Sequence, residues 1–179
     1  MKTKWQPNYG WAFAAGVLAW VIPGAGHVLL RRSVRGVIIF LCVSGLFWGG
    51  MAIGGVFTVD PVREEWWFKG QLCTGLSGII GWQRQEQVRQ GITASLNIPA
   101  LPPRSGPSRD SWWAAYTKEL VARKLALSYP ADGVARAYTG IAGMVNVMCI
   151  FDAFMLGLLG KKGEGPVLAT DEEAKEAVE

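Results

Sequence analysis

Apolar residues crowd into four stretches of this chain, Trp11 to Leu30, Val37 to Phe57, Trp66 to Trp82 and Ala137 to Gly160, with polar segments between them. The second stretch contains no charged residue. A helix rises about 1.5 Å per residue, so a run of this length spans the roughly 30 Å hydrocarbon core of a bilayer. A soluble helix would interrupt it with a polar face. The pattern predicts an all-α fold, a polytopic membrane helical bundle with three or four spans and one interfacial amphipathic helix.

Breaker residues divide the chain further. Residues 1–10 form a polar leader, and 11–57 a transmembrane hairpin whose first arm is read as a retained span rather than a cleaved signal. Pro23 removes a backbone donor and crowds the preceding turn, and Gly24 and Gly26 loosen the chain beside it, so a helix break is expected there. Arg31, Arg32 and Arg35 form a basic turn. By the positive-inside rule this turn is cytoplasmic, which puts the amino terminus outside. Gly45/Gly49 and Gly50/Gly54 are close-packing pairs in the second arm. Residues 58–83 hold a short loop and then either a third span or a re-entrant segment, with a span favoured. Gly75, Gly78 and Gly81 give that element a stripe of small residues.

The polar segment 84–136 contains a proline-rich linker over 99–109. Asp110 is the expected N-cap of a helix over 111–128. Its aromatic and basic residues suit either a membrane surface or the protein's own loop. The last span is 137–160. The acidic tail, 161–179, is expected to be disordered.

Composition agrees with a membrane reading. Charged residues make up 18% of the chain, against about a quarter in ordinary soluble domains. The net charge of +4 comes without a dense basic tract, which fits a lipid bilayer and not nucleic acid. The three cysteines, Cys42, Cys73 and Cys149, lie in apolar stretches and read as buried small hydrophobes. One histidine cannot build a zinc site by itself, and no cofactor or nucleophile motif is present, so no cofactor and no enzymatic activity are expected.

The candidate polar site is intramembrane. Asp152 lies in the last apolar stretch, where a carboxylate is expensive and normally finds a partner, water or a proton. Asn146 shares that stretch but not quite its face, and is suited to bonding another helix. His27 sits beside the helix break. A pairing of His27, Arg31 or Arg32 with Asp152 requires that residues 70–82 do not cross the membrane.

Two segments carry a resemblance. Ala19 to His27, with Leu30-Arg31-Arg32 and Arg35-Gly36, is similar to the hairpin of an uncharacterised family of small bacterial inner-membrane proteins. It is more distantly similar to the two-helix transmembrane domain family. The aromatic pair usual in that family's turn is replaced here by Val28-Leu29. Ala142 to Asn146, with Phe151-Asp152-Ala153, resembles the last span of the same bacterial family. The resemblance implies a helical hairpin in an inner membrane and no particular activity.

The leading expectation is a non-enzymatic structural or accessory membrane subunit whose glycine faces meet a membrane-protein partner or a second copy. The alternative is a small transporter or channel component using Asp152 and Asn146. A lipid-headgroup enzyme around His27 and the arginine turn is the weakest of the three.

Overall fold

The computed structural model describes residues 8–125, 131–160 and 163. Among these the protein is all helical, with no strand. The elements are α1 (Tyr9–Val21), α2 (Ala25–Leu29), α3 (Ser33–Gly54), a 3₁₀ turn at Val56–Thr58, α4 (Glu65–Leu72), α5 (Leu76–Ser95), α6 (Pro107–Ala122) and α7 (Ala131–Leu158).

Helix α7 is the axis. Helix α3 packs antiparallel along most of it: Arg35 reaches Asp152 near one end, and Gly50 and Gly54 pack on Ala135 near the other. Helix α1 is antiparallel to the C-terminal half of α7, with Ala12 against Gly157 and Gly16 against Phe154. Helix α4 covers the region around Gly140 and Gly143. These backbones approach closely because glycine supplies the surface; a Cβ at Gly143 would overlap the Gly70 carbonyl oxygen.

Two helices, α3 and α7, are long and apolar enough to cross a membrane, rather than three or four. Both departures from the sequence reading are reversals. The first arm, expected as one span over 11–30, stops at Ile22, whose extended conformation (φ −129°, ψ 114°) is the one favoured before proline. Gly24 takes φ 82° in the left-handed region, and α2 runs back along α1, bringing Gly26 against Ala15 and Ala19. The second reversal breaks residues 66–82 between α4 and α5, at Gly75 with φ 65°. Helix α4 carries the chain inward along α7, and α5 returns past Gln71, Val59 and Phe47. Residues 66–82 therefore form the turn of a helical hairpin and not one continuous helix.

The two hairpins enter the bundle from opposite ends and their tips meet at mid-length. A Cβ at Gly75 would overlap the Trp20 carbonyl oxygen. A consequence at the first end is that Asn8 and the arginine turn lie together: Asn8 donates its N–H to Leu158 O at 3.4 Å, and Gly163 donates to Leu30 O at 2.9 Å. The sequence reading put the two ends of the first arm on opposite sides, whereas Asn8 and the arginine turn share one end of the bundle.

Helices α5 and α6 extend past the other end. Ile92, Trp112, Tyr116 and Leu120 form a cluster there with Phe57, so α6 packs on the protein's own α5 and loop. The N-cap is Gly106, with Pro107 in the first turn, and the expected cap Asp110 falls inside that turn. The last helix starts at Ala131, before the expected 137. The expected acidic tail lies outside the described residues except for Gly163. Cys42 is exposed on α3, contrary to the expected burial, and Cys73 and Cys149 are half-buried.

Candidate functional site

The polar residues of the apolar stretches meet in three places along α7. At the first end, Asp152 receives both His27 and Arg35. His27 Nε2 is 2.8 Å from Asp152 Oδ2, and Arg35 reaches the same oxygen at 3.2 Å. His27 is fully buried, while Asp152 and Arg35 keep 38% and 46% of their side chains exposed. The reversal at Pro23 makes this possible, because it returns residue 27 to the level of residue 152. A carboxylate oxygen accepts from Nε2, and His27 Nδ1 is buried without a hydrogen-bond partner.

The other two arginines of the turn do not join this cluster. Arg31 takes φ 60°, which lets the chain turn into α3. Arg32 is buried at the N-cap of α3, with its Nε unbonded.

At mid-length, Asn146 ties the two hairpin tips together. It is completely buried, and its Nδ2 donates to Ala19 O at 3.3 Å and to Cys73 O at 2.9 Å. The Ala19 carbonyl needs an outside donor because its helical partner would be residue 23, a proline. Leaving such a carbonyl buried and unbonded costs about 1–3 kcal/mol. Asn146 Oδ1 has no partner.

Toward the second end, Gln71 performs the same service for another junction. Its Nε2 donates to Thr58 O at 3.0 Å and to Thr139 Oγ1 at 2.8 Å, joining the 3₁₀ turn, α4 and α7. Thr74 Oγ1 donates to Gln71 O at 2.6 Å, fixing the turn that follows. At the rim, Arg136 pairs with Glu64 at 3.0 Å and Asp132 at 2.9 Å. Sequence reasoning singled out Asp152, Asn146 and His27 but not Gln71, Thr139 or Arg136. A glutamine inside the third apolar stretch was the available signal for Gln71.

Of the four packing glycines, Gly50 and Gly54 are used inside the fold. A Cβ on Gly50 would come within 2.8 Å of the Ala135 carbonyl oxygen, and one on Gly54 would overlap Thr58 and Ala135. Gly45 and Gly49 face nothing within 4 Å. They line an open groove of about 260 Å³ together with Leu46, Ile53 and Tyr138. Pro23, Gly24 and Gly26 form the first reversal, where a Cβ on Gly24 or Gly26 would overlap the backbone of Gly36 or Ala15.

These arrangements are chiefly ties between elements. Asn146 and Gln71 each bond groups of two other segments. No curated protein and no solved structure matches the chain. A family model covers residues 14–165, which takes in both hairpins, the Asp152 cluster and the Asn146 junction, and on that match the chain belongs to DUF6677, a family of unknown function.

Proposed function

We propose that this protein is a non-enzymatic structural or accessory membrane subunit that assembles through the Gly45/Gly49 face of α3. The observation that carries this reading is the division of labour among four glycines on one helix. Gly50 and Gly54 are filled by α7, whereas Gly45 and Gly49, on the same apolar helix, meet nothing. In lipid, close backbone approach at small residues is a main source of helix association. A second copy is the occupant that fits best, since two α3 helices crossing at this face present the same surface to each other.

Membrane embedding is supported by the length and hydropathy of α3 and α7 and by the row of apolar side chains they expose, including Ile38, Phe40, Leu41, Met148 and Phe151. The resemblance of the hairpin motif supports a multi-pass place in a bacterial inner membrane.

Disulfide trapping between copies tests assembly. With the native cysteines replaced, a single cysteine at Leu46 is expected to cross-link in membranes, and Gly49→Leu to abolish the cross-link while leaving the melting temperature in detergent unchanged. Cross-linking that survives both Gly45→Leu and Gly49→Leu counts against this face. A heterologous band in place of the dimer would identify a partner protein instead.

The alternative, a small transporter or channel component, draws support from Asn146 Oδ1 and Gln71 Oε1, two buried acceptors without partners. Against it stand the close backbone contact of the hairpin tips and the engagement of Asp152 by both His27 and Arg35. A pH-dependent flux in proteoliposomes that is lost in Asp152→Asn would favour the alternative.

A further inference from the structure

Outside the apolar bundle, a cleft of about 370 Å³ opens between α6 and the loop before α4. Arg63, Glu64, Arg109, Trp113 and Thr117 line it. Its charge is unbalanced. Glu64 is engaged by Arg136 at 3.0 Å, while Arg63 and Arg109 have no carboxylate within ion-pair distance among the described residues.

The two guanidinium groups are also held in place. Asp60 Oδ1 accepts the backbone N–H groups of Val62 at 2.8 Å and Arg63 at 3.3 Å, which fixes the loop. Arg63 lies over the Trp113 ring, its central carbon 5.7 Å from the centroid. Arg109 is steadied by donating to Arg104 O at 3.3 Å. Trp113 in turn packs edge-on against Trp112 and Tyr116, so the wall of the cleft belongs to the α5–α6 core.

We propose that this cleft binds a phosphate-bearing anion, with Arg63 and Arg109 as its two positive arms. Planar guanidinium forks match the oxygen geometry of phosphate, and a concave cleft with an excess of positive charge concentrates anions. The Thr117 hydroxyl adds a neutral donor on the same wall. An adjoining cavity of about 250 Å³ shares Arg63 and Thr117 and is walled by Phe57, Leu120 and Leu125 together with the Asp132–Arg136 pair. A cavity of mixed apolar and polar lining beside the two arginines leaves room for an ester group, so the phosphate belongs either to a lipid headgroup or to a free anion. The proposal does not depend on how the protein assembles.

The test is titration calorimetry on the full chain in detergent, with inorganic phosphate and with dihexanoyl phosphatidylglycerol, and dihexanoyl phosphatidylcholine as the uncharged comparison. Saturable binding of at least one anion is expected, weakened tenfold or more by Arg63→Gln and by Arg109→Gln, and unchanged by Arg104→Gln. Each variant is first shown to melt at the wild-type temperature. Binding of the lipid alone identifies a headgroup site, and binding of phosphate alone a soluble ligand. The proposal is overturned if neither anion binds, if the phosphatidylcholine binds equally well, or if Arg104→Gln weakens binding as much as the cleft variants.

Discussion

Pro23 and Asn146 are coupled through a single carbonyl, that of Ala19. Proline at position 23 withholds the amide hydrogen that a continuing helix would return to residue 19, and Asn146 Nδ2 donates there instead, at 3.3 Å. The same amide holds Cys73 O at the tip of the opposing hairpin. Asn146→Ala is therefore expected to leave two buried carbonyls bare, with a loss of roughly 2–6 kcal/mol. In a Pro23→Ala background part of that loss disappears, since residue 23 regains a donor. A double-mutant cycle by denaturant titration in detergent checks the coupling, and full additivity would show that the two residues act separately.

Glycine positions separate into two classes with opposite expected behaviour. Gly143→Ala drives a methyl into the Gly70 backbone and Gly75→Ala drives one into Trp20 O, the latter at φ 65°. Both are expected to lower the melting temperature by many degrees or to prevent folding, since overpacking costs about 1–3 kcal/mol and more where the obstacle is rigid backbone. Gly45→Ala is expected to leave it unchanged. Thermal scans of the purified variants decide the matter.

The Asp152 cluster gives a graded series. Asp152→Asn keeps the shape but strips the charge that His27 and Arg35 share. Because Asp152 is part-exposed, the expected loss is modest, roughly 1–3 kcal/mol. Arg35→Gln is expected to lose less, since His27 remains bonded. His27→Ala is expected to lose most, because a fully buried ring leaves a cavity and Asp152 keeps only its part-exposed contact with Arg35.

Membrane sidedness follows from the two half-length hairpins. Single cysteines at Asn8 and Arg31 are expected to react with an impermeant thiol reagent from the same side of the membrane, and one at Ser105 from the other. Labelling of positions 8 and 31 from opposite sides would contradict the reversal at Pro23.

Alkaline pH probes the α5–α6 core. Burial, with Asp60 adding to it, pushes the Tyr116 phenol up to about 12. A raised phenol pKa means the folded state holds the proton more tightly than the unfolded chain. The stability this contributes is fully present below pH 10 and is lost as pH rises toward 12. Tyr116→Phe is expected to remove that part of the alkaline loss, and absorbance titration of the phenols to lose its highest-pH component.

Much of the architecture was legible in the residues and some was hidden for definite reasons. The uncharged run of α3, the break at Pro23 and the unusual positions of Asp152 and Asn146 are local signals. The direction taken after each break is not. Gly75, Gly78 and Gly81 have the same spacing in a straight helix as in the hairpin, where Gly75 forms the turn and Gly78 crosses the Gln71 carbonyl. Nothing in α3 alone distinguishes Gly45 from Gly50, since the difference is made by α7. Tyr116 and Trp112 could not be assigned to lipid or protein until Phe57 and Ile92 were placed against them.

The axial position of α7 bears on how the molecule is made. Helices α1, α3 and α4 all pack chiefly on α7, whose first residue is number 131. Synthesis runs from the amino terminus, so these three helices leave the ribosome before the surface they will cover exists. The apolar bundle therefore cannot be completed piece by piece from its N-terminal end. The nascent hairpins lack their main packing surface until the last quarter arrives, and a chain truncated before residue 131 keeps the α5–α6 cluster but not the axis of the bundle.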